Sequence, residues 1–138
     1  MKFLIKLRTI PLLRYLSYFL MKLLGVEIPL SVQIGKNFIL AHWGNGVVIH
    51  PFTIIKDNVK IYQGVTIGRA DIYQNPNSEF NEIVIEDNVI ISAGAKVLTS
   101  KNCVIASGTI IGANAVLLIK EAKIEKGVYV GNPARKIK

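Results

Sequence analysis

The chain holds one cysteine, Cys103, and two histidines, His42 and His50. A lone cysteine forms no intrachain disulfide and no cysteine zinc cluster, which fits a reducing compartment. Two histidines fall short of a zinc centre built on three, so no metal is expected. Acid is also scarce: residues 1 to 24 contain five Lys or Arg and no Asp or Glu. Aromatic residues make up 8% and are not interleaved with a basic stripe, the pattern expected of a nucleic-acid binder. Nucleic acid is therefore not expected as a partner. No apolar run reaches bilayer length, because Lys6, Arg8, Arg14 and Lys22 interrupt the opening segment. That segment also lacks the small-residue cleavage site of a secretory leader. The expected location is the cytoplasm, with the inner membrane face as the surface on which a basic helix would rest.

Within 138 residues, 51% of them hydrophobic, the sequence has room for one continuous core. Its net charge of +8 favours anionic ligands and surfaces.

What fills the chain is a six-residue clock. Large aliphatic residues recur at Ile28, Ile34 and Leu40, then at Ile49, Ile55, Ile61 and Ile67. They continue at Ile85, Ile91 and Val97, then at Ile105, Ile111 and Leu117. Two positions before each stands a second small or apolar residue, as in Val26, Val32, Val59, Val65, Val89, Ala95 and Ala115. Residues two apart share one face of a strand, so both series point inward. A helix would show spacings of three and four, and separate sandwich strands would not keep one period. The fold class is an all-β solenoid, a parallel β-helix whose short sides close a triangular coil. Gly35, Gly68, Gly94, Gly108 and Gly112, with Asn58, Asn88 and Asn114, lie between the inward pairs, where corners favour positive φ.

The clock breaks at three places. Leu40 to Ile49 is nine steps, so AHWGNG carries an insertion. Ile67 to Ile85 keeps phase, but a regular coil would bury Asp71, Asn77 and Glu79, so residues 69–82 are expected as an extruded loop. Val97 to Ile105 is eight steps, with a bulge at Ser100, Lys101 and Asn102. Residues 1–24 lie outside the period. A helix from near Thr9, with Pro11 in its first turn, would align Leu12, Tyr15, Leu16, Phe19, Leu20 and Leu23 as an apolar face. Residues 1–24 are thus expected as an amphipathic cap on a β-helix of residues 25–138, with VGNPARKIK as a last strand, a turn and a basic tail.

A base working near neutral pH is most readily a histidine. His42 stands inside the insertion, beside Gly44, Asn45 and Gly46, which favours it over an incidental exposed residue. His50 follows an inward Ile and precedes Pro51, which suits a turn-stabilising role. Glu27, fifteen positions before His42, is close to one coil away and could steady an imidazolium. It could equally be an acid that blunts the first strand.

The segments GVEI, IGKNFILAHWGNGVVIH, IYQGVTIG, NVIISAGAKVL, IIGANAVL and VGNPARKI resemble the hexapeptide-repeat acyltransferases, in the branch of serine acetyltransferases and polysaccharide O-acetyltransferases. The resemblance covers about residues 25 to 138. It implies a left-handed coil, a homotrimer and acetyl-CoA as cosubstrate bound between neighbouring helices. It makes His42 the base that takes the acceptor's proton and Glu27 the acid that orients it. The pantetheine arm would run along Gly68, Ala93, Gly94, Ala95 and Ala113, and Lys96, Lys120, Arg135 and Lys136 would meet phosphates. Cys103 would be core. The acceptor would be met by Trp43, Asn45 and Gln63, and by Tyr73 and Asn75 of the loop.

Serine enzymes of this family carry an acid before the catalytic histidine, and a histidine in the extruded loop. Here Ala41 and RADIYQNPNSEFNE stand in those places. The expected acceptor is therefore a hydroxyl of a small molecule, a sugar of a surface polysaccharide or its precursor, with serine as the alternative. A non-catalytic scaffold is the rival from another class, and acetyl-CoA binding separates the two. Residues 1–24 would either touch an anionic membrane or pack on protein.

Overall fold

The two inward series become the walls of a triangular stack. The computed structural model describes residues 1–71 and 82–138. On one side the strands Gln33–Ile34, Thr53–Ile55, Ile83–Ile85, Cys103–Ile105 and Lys123–Ile124 lie parallel. A second side stacks Ile39–Leu40, Lys60–Ile61, Ile90–Ile91, Ile110–Ile111 and Val128–Gly131. The third stacks Val48–Ile49, Thr66–Arg69, Lys96–Thr99 and Val116–Ile119. Glu27 adds a parallel bridge to Val48 at the start of that third side.

The ladders show where the insertions go. Gln33 pairs with Ile54, Ile54 with Val84 and Val84 with Val104, so successive coils take up 21, 30 and 20 residues. Three regular sides would take eighteen. The excess falls in the AHWGNG insertion, in the segment after Arg69 and in the bulge after Thr99. Each strand is short, yet each inward residue meets its counterpart above and below, so burial is repeated coil after coil. All members of the two series are buried except Ile34, which is half-buried at the open end of the first coil.

Corners behave partly as expected. One column stacks Asn37, Asn58, Asn88 and Gly108 at φ between 54° and 72°. Another stacks Gly25, Gly46, Gly64 and Gly94 at φ between 70° and 74°, with Asn114 above at 54°. Gly35, Gly68 and Gly112 are not at positive φ, which corrects the expectation for them. Gly35 instead allows close approach: a Cβ there would lie 2.6 Å from the carbonyl carbon of Lys56.

The N-terminal segment is a pair of helices, α1 (Lys2–Leu7) and α2 (Arg14–Leu23), in place of one helix from Thr9. Pro11 has no N–H and its ring collides with a preceding carbonyl in a helix interior, so the chain breaks there. The turn is pinned by Arg8, whose guanidinium donates to the carbonyls of Ile28 at 2.7 Å and Pro29 at 2.8 Å. Ser17 and Met21 face inward, with Ser17 donating to the Leu4 carbonyl at 2.6 Å. Of the apolar face expected to pack, Leu20 is half-buried against the core, whereas Leu12, Tyr15, Leu16, Phe19 and Leu23 are turned outward. At the other end, Ala134–Lys136 folds back antiparallel on Val128–Gly131, so part of the expected basic tail is a strand.

Candidate active site

The insertion after Leu40, Ala41–Gly44, is a tight kinked turn at the corner between the second and third sides. Inside it His42 has φ 48°, ψ 43° and Trp43 has φ 62°, ψ 3°. Two consecutive side-chain-bearing residues in the left-handed region cost about 1–3 kcal/mol each and persist only where surrounding packing enforces them. That packing is Gly44, buried against Leu40, together with the Val47 N–H bonded to the Gly44 carbonyl at 2.9 Å. The result lifts the His42 imidazole clear of the wall and leaves it exposed.

The coil above supplies its neighbours. The Tyr62 ring lies 6.0 Å from the His42 ring, tilted by 40°, and Lys60 Nζ sits 4.7 Å from the Tyr62 centroid. Gln63 follows Tyr62, and its Oε1 is buried with no hydrogen-bond partner among the described residues. A buried unpaired amide oxygen costs about 1–3 kcal/mol, and a ligand donor would recover it. Sequence reasoning missed Tyr62. The signal was its place in IYQGVTIG, one step past inward Ile61 on the coil above the insertion.

Glu27 is in the right layer but not in contact. Among the described residues no hydrogen bond joins it to His42, and its carboxylate lies 4.0 Å from Lys22 Nζ. Asn45 is exposed, with its carbonyl accepting from Gly64 N–H at 2.8 Å, and Trp43 projects with 65% of its surface exposed. Tyr73 and Asn75 lie outside the described residues, as do Asn77 and Glu79. Asp71, expected in an extruded segment, is buried and held by Arg69 through two bonds of 2.7 and 2.6 Å. Its burial is met by that fork rather than avoided.

His50 stands at the next corner. Burial, and secondarily the Arg69 cation, hold its pKa below the ordinary value against the opposing pull of Asp71. Its Nδ1 accepts from the Phe52 N–H at 3.3 Å, which a neutral ring can do. That is a turn-bracing role. Cys103 is buried in the core, and burial raises its thiol pKa.

The residues expected to hold the cosubstrate fall into three groups. Ala93, Gly94 and Ala113 border the glycine column on the coils above His42; a Cβ on Gly64 would come within 3.5 Å of Gly94 Cα. Ala95 is fully buried in the core as a member of the inward series, which corrects its expected place against the pantetheine arm. Gly68 lies on the third side, beneath Leu98. Lys96 is committed elsewhere, donating to the Gly64 carbonyl at 2.7 Å and to Thr66 Oγ1 at 3.0 Å. Lys120, Arg135 and Lys136 line a cavity of about 590 Å³ at the C-terminal end. Lys96 thus stands apart from the other three expected phosphate contacts.

This geometry has close counterparts. A serine acetyltransferase of Staphylococcus aureus is 46% identical over 94 residues, 68% of this chain and 41% of that protein. The crystal structure of serine acetyltransferase in complex with coenzyme A from Brucella abortus superposes with a TM-score of 0.71 at 26% identity, covering 88% of this chain and 47% of that one. The Neisseria gonorrhoeae serine acetyltransferase in complex with serine gives 0.67 at 28% identity, covering 88% and 47%. This β-helix belongs with the hexapeptide-repeat acyltransferases. Its coil is left-handed, as in those neighbours, against the usual crossover preference. No family model matches the chain. It spans less than half the length of the relatives named above. Those relatives are serine acetyltransferases, and none of the three is named for the expected polysaccharide sugar. Among the described residues, no helix is long and apolar enough to cross a membrane.

Proposed function

We propose that the chain transfers an acetyl group from acetyl-CoA to the hydroxyl of serine, with His42 as general base. The observation that carries this is the insertion itself, a turn in the left-handed region that presents one exposed imidazole beside Tyr62, the chain neighbour of Gln63. The 46% identity to a serine acetyltransferase supports the choice of acceptor. In the reaction the imidazole takes the hydroxyl proton as the oxygen attacks the thioester carbonyl. The carbon–sulfur bond breaks, and the imidazolium returns the proton to the departing thiolate, leaving an ester and free CoA thiol. Glu27 would steady the charged ring after a rotation away from Lys22. The glycine column offers the pantetheine arm a wall without Cβ atoms, and the C-terminal cavity, lined by Lys120, Lys123, Arg135 and Lys136 against Glu121 and Glu125, carries an excess of positive charge for the nucleotide phosphates. No metal takes part in this reading.

The working unit is a homotrimer in this proposal. Ile39 and Val48, on the strands flanking the insertion, are apolar yet 37% and 42% exposed, surface that a second copy would cover. A sugar hydroxyl is kept as a second reading for one reason: Ala41, preceding His42, offers no carboxylate to hold an amino group.

The test follows thiol release from acetyl-CoA with serine, simple sugars and nucleotide sugars as acceptors, on protein whose assembly is read by light scattering. Serine should give saturable release from a trimer. Saturable release only with a sugar would replace the acceptor, and an active monomer would remove the shared site.

A further inference from the structure

The turned-out face of the helix pair is the least expected feature of the molecule. Tyr15, Leu16, Phe19 and Leu23 follow helical spacing along α2, Leu12 precedes them in the turn, and each exposes about half or more of its surface, from 49% for Leu16 to 87% for Leu12. Phe3 of α1 adds 70%. A contiguous apolar patch of this kind marks an interaction surface.

Charge decides what it meets. Lys2, Lys6, Arg14 and Lys22 are exposed around the pair, and no acid precedes Glu27. Between α1 and the first coil lies a cavity of about 720 Å³, whose lining includes Lys2, Lys6, Arg8, Arg14 and Lys36 and no acidic residue. Its floor is apolar, with Val32, Ile34 and Phe38. A basic rim around an apolar stripe matches a lipid headgroup layer, which supplies both anions and hydrocarbon. A helix of the length of α2 is roughly 15 Å long, so it lies in the interface and does not cross it.

We propose that α1 and α2 form a peripheral docking surface for an anionic phospholipid bilayer, with the apolar stripe of α2 entering the acyl boundary and the basic cavity receiving headgroup phosphate. This does not depend on the acetyl-transfer reading.

The experiment is co-sedimentation of the full chain with phosphatidylcholine vesicles, with and without phosphatidylglycerol. The wild type should sediment with the anionic vesicles only. The Lys2→Ala, Lys6→Ala, Arg14→Ala triple variant should bind roughly a hundredfold more weakly, from the loss of three surface cations. Leu16→Ser with Phe19→Ser should also release the protein, with circular dichroism and light scattering unchanged, because these side chains are already exposed. Wild-type protein left in the supernatant would overturn the proposal. So would equal binding to neutral vesicles, or a Leu16→Ser, Phe19→Ser variant that keeps vesicle binding but loses a subunit contact, since the stripe would then belong to a second copy.

Discussion

Gln63 and His42 show how one residue can be legible in different degrees. His42 was readable because it breaks a strict period, and the model gives the physical content of that break in a left-handed turn. Gln63 was legible only through the family motif, since composition does not reveal whether an amide oxygen finds a partner. Its Oε1 stays unpaired inside the wall, so replacement by alanine should leave thermal stability equal or higher. The same change should raise the acceptor KM by roughly tenfold to a hundredfold, the equivalent of ~1–3 kcal/mol of hydrogen bonding to a ligand. Steady-state kinetics with acceptor varied at saturating acetyl-CoA reads this. An unchanged KM would mean that the oxygen does not face the acceptor. Lys96 was not legible at all, because its ammonium is spent on groups of the neighbouring coil, the Gly64 carbonyl and Thr66.

At the level of elements, the coil could be read because its inward positions obey one period, while each corner is decided by local chemistry. Asn58, Asn88 and Asn114 were placed at corners correctly, since a short amide tolerates positive φ. Gly35 was given the wrong reason, because a glycine needed for space and one needed for φ look the same in sequence. The difference is testable. Gly35→Ala places a methyl 2.6 Å from backbone of the next coil, and overpacking of this kind costs about 1–3 kcal/mol. Urea unfolding should register that loss, and an unchanged midpoint would mean the coils can slide apart at no cost. The helix pair was misread because amphipathic spacing identifies a face without saying which way it turns. Pro11 and the Arg8 anchor settle the direction, and Arg8 reaches carbonyls 20 and 21 positions away in sequence.

For the whole molecule, the parallel β-helix follows from the six-residue period, and its left hand from the family resemblance, which the structural neighbours share. Glu27 and His42 sit on neighbouring layers with no hydrogen bond between them, and the expected acceptor contacts Tyr73 and Asn75 lie outside the described residues. The account nevertheless rests on one imidazole. The most direct measurement compares His42→Ala with wild type by thiol release at saturating acetyl-CoA and serine, with acetyl-CoA binding followed by calorimetry. Turnover should fall by about 10²–10⁴-fold, the usual contribution of a general base, while acetyl-CoA affinity stays as it was. Wild-type turnover in the His42→Ala protein would contradict the assignment.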